Sequence, residues 1–447
     1  MRSRRTDRLE KVVFGLSVLV LVFLSGYASR TFGWFPDSFL QQAWLEARLA
    51  AIHSGGIASP VPISMVPRVH DGQGAEVLDR AAMQPGLTLL ASMWKTDGGW
   101  EPGLRLIDAD GEVLHAWRVD VGTFLGASDS VRRSVKDARS RSVHGTYLFR
   151  NGDVLANIDY VGTVRLDACS RPRWRLVAGS NHSIARADDG TFWIPGSTDL
   201  RPSNHPLPIG PIYRDLMLRV SGKGEVLDRI DVLDLLYAND LQDHLLKAQH
   251  TDQGDATHLN DIEPLPDSIA GGYSLFSPGD LLVSLRNLNL IMVVDPATRR
   301  VKWHTSDPFL AQHDPDFIGR GWIGVLDNRW DGTMRGTRLS GSRIVAVQPR
   351  TGALRTLYPE PGSDPFYTDE MGKWQQLAND DLLLTESRAG RVLEVTAGGR
   401  KVWQWLAPPY DAEHVPEVSE GTRYDLTPEA VAAWPCSPGH SSVPDSR

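Results

Sequence analysis

From His144 to Gly179 the chain reads HGTYLFRNGDVLANIDYVGTVRLDACSRPRWRLVAG. Short apolar and β-branched runs alternate with turn signals, Asn151-Gly152 first among them, and the last run ends beside Trp174. This is the pattern of an antiparallel meander of about four short strands. The pattern recurs along the chain. It begins at Gly86, at His144, from His182 to about Asp234, from His258 to Thr305, from Gln312 to about Glu360, and at Gly372, where GKWQQLANDDLLLTESRAGRVLEVTAGGRKVWQW repeats the layout. Asp110-Gly111, Asp189-Gly190 and Gly398-Gly399 mark equivalent turns. A period of roughly 40 to 55 residues with about four strands each predicts a β-propeller. One blade cannot bury both faces of its sheet, so six repeats predict an all-β, six-bladed ring around a central channel.

Three histidines share one register within these repeats. His144, His182 and His313 each stand eight residues ahead of a turn glycine, Gly152, Gly190 and Gly321, and His258 opens a segment of the same kind. Residues that begin the first strand of successive blades face one end of the channel, so the register predicts convergent imidazoles. A single histidine at a strand entrance is more often a hydrogen-bonded turn residue than a catalyst, and the repetition is what points beyond that. The tryptophans at repeat ends, Trp117, Trp174, Trp303, Trp403 and Trp405, read as packing between blades.

Composition fits one large folded body with an attachment before it. Of 447 residues 41% are hydrophobic and 23% charged, ordinary for a globular domain, and the net charge of −8 leaves no basic face to hold nucleic acid. Arg2, Arg4, Arg5, Arg8 and Lys11 precede an uncharged run, Val12 to Ser29, that Arg30 closes. This reads as a transmembrane signal anchor with its basic tip in the cytoplasm, or as a cleaved signal peptide ending near Gly26-Tyr27-Ala28. Both readings export the propeller. Cys169 and Cys436 are the only cysteines, and their pairing stays open at this level. The expected organisation is a cytoplasmic tip and anchor over 1–30, a membrane-proximal helix (37–54) and linker over 31–82, the propeller over 83–410, and an irregular tail over 411–447 with a short helix near Thr427.

The fourth and fifth repeats carry more specific motifs. The fourth opens HLNDIEPLPD from His258 and continues, after an inserted turn, into DLLVSLRNLN; the fifth contains QHDPDF from Gln312 and VLDNRW from Val325. The His-x-Asn, Ser-x-Arg and Gln-His-Asp segments resemble the bacterial arylsulfotransferases, six-bladed propellers that move a sulfuryl group from a phenolic sulfate ester to another phenol. The likeness spans roughly residues 86 to 408, without the separate N-terminal β-domain of some members. It implies a sulfotransferase independent of PAPS and of any metal or cofactor, ping-pong through a sulfohistidine. By motif, His313 is the nucleophile, Arg286 holds sulfuryl oxygens, and His258 and His182 serve as proton donors and acceptors. Many relatives carry a double histidine where this chain has Asn181-His182, and blade six offers Gln375 and Gln376 with Arg388 nearby. Asn260 and Asp314 are candidates to orient the imidazoles. His144 and Asn328 are candidates to line the pocket, although Asp327-Asn328-Arg329 also reads as an ordinary turn.

The expected partners are therefore a small aryl sulfate donor, a hydroxyl acceptor, and a bacterial inner membrane that places the propeller in the periplasm or outside the cell. Two rival readings share the fold. A metal-dependent hydrolase or lactonase would draw on His258, Asn260, Asp261, Glu263, His313 and Asp314, and a silent propeller would scaffold an envelope complex.

Overall fold

A computed structural model describes residues 3–32, 61–124, 142–198, 201–208, 211–250, 254–333 and 335–436. The helix expected over 37–54 lies outside them. Ser3–Phe32 forms one helix. Its stretch Glu10–Ser29 has a mean hydropathy of 2.2 and is not covered by the rest of the chain, and twenty residues suffice to cross the hydrocarbon layer.

The remainder is a six-bladed β-propeller. In blades 2 to 6 the first strand of each repeat starts the sheet: Val143–Leu148, Ala185–Arg186, Leu259–Pro264, His313–Phe317 and Lys373–Gln376. Each sheet then runs antiparallel in sequence order to its fourth strand. First strands of neighbouring blades touch one another, which puts them around the axis. Gly152, Gly190 and Gly321, the turn glycines of the histidine register, all have φ near +80°, a conformation that favours glycine.

Blade 1 differs from the expected plan. The repeat from Gly86 holds only three strands, Leu87–Thr96, Gly99–Ile107 and Val113–Arg118. Its inner strand is Val418–Tyr424, paired antiparallel with Leu87–Thr96. The segment after 410 is thus part of the propeller and not an irregular tail: the first sheet has an open inner edge that this strand alone satisfies. Similarly, part of the expected linker is ordered. Gly74–Val77 adds a fifth strand to blade 6, and Met65–Pro67 pairs with His414–Pro416. The short helix near Thr427 is present as Pro428–Ala432, and the Thr427 side chain caps it by accepting from Ala430 N.

Stability comes from between the blades. Six apolar clusters fill the six blade interfaces, one for each neighbouring pair. Indole groups fasten some of these interfaces by donating to turn carbonyls of the next blade: Trp117 to Gly152, Trp174 to Gly222, and Trp403 to Ala109. The tail extends the closure. After the capped helix, Trp434 packs into the interface of blades 1 and 2 and donates to Arg150 O, and Cys436 bonds to Cys169 of blade 2.

This disulfide closes a loop with a separation of 267 residues, so in the chain-entropy view it stabilises by about 5 to 6 kcal/mol. Cys169→Ser should lower the midpoint of urea unfolding by a corresponding amount and leave the circular dichroism of the native state unchanged. Truncation after residue 410 should be far more severe, leaving no cooperative unfolding transition.

Candidate active site at the channel mouth

Backbone geometry aims the histidines. His182 and His258 have φ of 49° and 52°, while Gly145, after His144, and Asp314, after His313, have 103° and 48°. Register shifts interrupt the first pairing of blades 2, 4 and 5 at these points. Such bulges turn a side chain out of the sheet's alternation, here toward the axis. The positive φ of the two histidines is paid for by clamps from the preceding blade. Asn157 Nδ2 donates to the carbonyls of Asn181, His182 and Ser183, with its own Oδ1 fixed by Thr163. Asp215 Oδ2 accepts from Leu259 N and from Thr257 Oγ1. Gly145 lies so close to His182 O that a Cβ there would sit 1.6 Å from it.

The Gln-His-Asp motif is held by three blades. Gln312 Nε2 donates into blade 4, to Ser284 Oγ and Leu290 O, and Asn260 Nδ2 of that blade donates back to Gln312 O. Asp314 reaches blade 6, accepting from Lys373 Nζ at 2.9 Å and from Trp374 N at 2.8 Å. Between them His313 Nδ1 is 2.8 Å from Asn328 Oδ1 in its own blade. Asn328 cannot present its amide nitrogen instead, because Nδ2 already donates to Thr368 O and Met371 O. His313 therefore carries its hydrogen on Nδ1 and a lone pair on Nε2. Asn328 is thus no mere turn residue.

The imidazoles meet as a group. His182 lies 3.1 Å from His144 through Nδ1 and 3.1 Å from His258 through Nε2, and its ring centre is 5.9 Å from that of His313. His258 Nδ1 rests on Asp255. Burial, then the charges of His144, His258, His313 and Arg286, hold His182 well below the ordinary histidine range. Burial and Arg286 do the same to His313, against the pull of Asn328. Both rings are thus neutral at neutral pH. The Arg286 backbone N donates to His258 O, and its guanidinium donates to Asn287 Oδ1. Among the described residues it forms no ion pair, so most of its donor fork remains open to an anion.

Below the histidines the first strands line the channel with Asp261, Glu263, Asp314, Asp316 and Glu420 around Lys373. A small cavity connects the two layers, lined by His144, His182, Asn260, His313, Lys373 and Glu420. Burial works against the Lys373 ammonium, but the carboxylates led by Asp314 outweigh it and hold its pKa well above the usual value. Burial, with Asp314 beside Asp261 and Asp261 beside Glu263, pushes Asp261 up to about 7 and Glu263 to about 8.

All eight sequence candidates, His144, His182, His258, Asn260, Arg286, His313, Asp314 and Asn328, fall in this region. The divalent-ion set does not assemble: among the described residues no group of three or more His, Cys, Asp or Glu is placed to hold a metal. Asp314 pairs instead with Lys373. Sequence reasoning missed Asp159, Asp255, Asn157, Asp215 and Lys373. One signal was available, since Asp159 follows His144 by the same fifteen residues that separate Asn328 from His313. Gln375 faces away from the histidines, exchanging hydrogen bonds with the Arg423 backbone.

A family model described as arylsulfotransferase (ASST) matches residues 148–407, more than half of the chain. It contains His182, His258, Arg286 and His313 and excludes His144. No curated protein matches the chain significantly. Among solved structures, a Bacteroides caccae protein of unknown function superposes with a TM-score of 0.50 at 12% identity, covering 77% of this chain and all of that one. The WD40 β-propeller domain of Doa1 gives 0.40 at 11% identity, covering 78% and 87%. A catalytically inactive virginiamycin B lyase from Staphylococcus aureus, with quinupristin, also gives 0.40 at 11%, covering 79% and 100%. The first of these likenesses concerns the fold alone.

Two outcomes follow from this geometry. Gly145→Ala should cost about 3 kcal/mol or more in unfolding free energy, since the Cβ meets backbone that cannot yield. The second concerns Glu263. A carboxyl held near 8 when folded, against about 4.5 unfolded, stabilises fully at low pH and loses that contribution as pH rises between the two values. Urea titrations at pH 5.5 and 8 should show wild type losing up to about 1.4 kcal/mol per pH unit more than Glu263→Gln; parallel losses would contradict the shift.

Proposed function

The chain belongs to the arylsulfotransferase family, and we propose that it moves a sulfuryl group from a phenolic sulfate ester to a phenolic or other hydroxyl acceptor, without PAPS, through a covalent adduct on His313. The observation that carries this reading is the fixed tautomer of His313. Asn328 holds the hydrogen on Nδ1, so Nε2 keeps a lone pair inside a cluster of cationic and hydrogen-bonding groups. A neutral imidazole with a free lone pair is a nucleophile, and its lowered pKa keeps it in that form.

In the first half-reaction Nε2 of His313 attacks sulfur, and the S–N bond forms as the bond from sulfur to the phenolic oxygen breaks. The electron pair goes to that oxygen, which takes a proton from His258, leaving His258 neutral. In the second half-reaction the acceptor hydroxyl attacks the same sulfur, its proton returns to His258, and the S–N pair returns to His313. The Arg286 fork supports the sulfuryl oxygens in both, and removal of one such preorganised donor typically costs about 10² to 10³ in rate. Lys373 adds a second positive charge to the cavity that His313 lines, neutralised in large part by Asp314.

The basic N-terminal flank and the apolar helix support a single-pass anchor in a bacterial inner membrane, with the propeller on the periplasmic side. The Cys169–Cys436 bond supports an oxidising location of that kind.

Incubation with a chromogenic aryl sulfate should release the chromophore in a burst and leave a sulfuryl adduct on His313, detectable by mass spectrometry of the intact chain. Phenols should then accelerate turnover. His313→Ala should abolish both the burst and transfer while retaining the wild-type unfolding midpoint within about 1 kcal/mol, and Arg286→Ala should reduce kcat/KM by about 10² to 10³. Wild-type rates with His313→Ala would end the assignment.

A further inference from the structure

Three of the four histidines are joined in a row that ends on a carboxylate at each side. Asp255 Oδ2 lies 2.5 Å from His258 Nδ1, His258 Nε2 is 3.1 Å from His182 Nε2, His182 Nδ1 is 3.1 Å from His144 Nε2, and His144 Nδ1 is 3.4 Å from Asp159 Oδ1. The first three are hydrogen-bonding contacts that set two lone-pair atoms face to face and need one hydrogen each; the fourth is an ion-pair distance, at which the carboxylate favours a hydrogen on His144 Nδ1. Three neutral imidazoles supply three hydrogens. With a hydrogen on His144 Nδ1 facing Asp159, the row holds one proton beyond neutrality, as a single imidazolium between ionised carboxylates.

The position of that proton follows from the surroundings. His182 is the poorest host, since it is buried and ringed by His144, His258, His313 and Arg286. His258 is the best, because its carboxylate contact is much the shorter of the two. Burial would raise Asp255, but the charge of His258 and then of Arg286 outweighs it and lowers Asp255, consistent with an ion pair.

We propose that His144 and Asp159 are positioning residues for sulfuryl transfer: by accepting from His182 Nδ1, His144 obliges His182 Nε2 to accept, which keeps the transferable hydrogen on His258 Nε2. Asp159 favours this tautomer of His144 electrostatically, its carboxylate lying 3.4 Å from Nδ1. His144 precedes the family match and Asp159 lies inside it, and the hydrogen on His313 Nδ1 is held by Asn328 rather than by either of them. Without His144 the imidazole of His182 is free to take its other tautomer, with the hydrogen on Nε2 directed at His258. His258 Nε2 then becomes an acceptor, and no proton is ready for the departing phenolate. The role in transfer rests on the proposed function; the proton count does not.

The test uses the full chain in detergent micelles and two donors. With a phenyl sulfate whose phenol is a poor leaving group, His144→Phe should slow the burst by about 10² or more, the lower range for a general acid. With a nitrophenyl sulfate, whose phenolate needs little protonation, the loss should stay below about tenfold. His144→Gln should recover most of the lost rate, because its amide oxygen can accept from His182 Nδ1. Equal losses on both donors, or no recovery with glutamine, would reduce His144 to a packing residue. Nitrogen NMR of ¹⁵N-histidine-labelled protein, without substrate, separates the two readings. One imidazolium in the wild type, with a changed His182 tautomer in His144→Phe, supports the row even if no sulfuryl transfer is found. Three neutral imidazoles would overturn it whatever the activity.

Discussion

Closure of the ring is the constraint on which the molecule depends. Val418–Tyr424 pairs with Leu87–Thr96, and Ser419 Oγ donates across to the Val143 carbonyl of blade 2. The inner strands can share one axis only when this strand is in place, because blade 1 otherwise offers an unpaired edge to the channel. The Trp434 and Cys436 contacts follow directly behind it and hold the same junction from outside. Chain ends that are far apart in sequence thus determine whether residues from five different blades meet.

Once closed, the ring uses local backbone strain to place chemistry. Left-handed residues at the start of successive inner strands cost of order 1 kcal/mol or more apiece, and they persist because Asn157, Asp215 and Asn328 each bind backbone of the next blade. The same devices position the site and stitch the blades together. Asn328 has both tasks in one side chain, its amide nitrogen holding blade 6 and its oxygen choosing the tautomer of His313.

Electrostatics divides the channel into two layers. Burial among like-charged or potentially charged neighbours keeps His182 and His313 neutral at the mouth, and beneath them five carboxylates share a single lysine. Burial raises several of those carboxylates because their mutual repulsion in a poorly solvated space exceeds what Lys373 can offset. An anion entering the mouth meets Arg286 with its donor fork largely open, while the acidic layer lies behind the histidines.

Much of this is legible in the amino-acid sequence. Repeats with turn glycines at one offset are a local, periodic signal, and they specify six sheets and a common register for His144, His182 and His313. The apolar run after the basic flank specifies a long helix, and the His-x-Asn, Ser-x-Arg and Gln-His-Asp motifs contain residues that meet at the channel mouth. The tertiary structure alone decided that residues 418–424 complete blade 1, that Cys169 meets Cys436, that Lys373 sits with Asp314, and that Asp255 and Asp159 terminate the histidine row. These depend on contacts between segments with no periodic relation in the chain. A hydrogen bond between side chains hundreds of residues apart leaves no pattern in either segment, whereas a strand and its turn write theirs into every few residues.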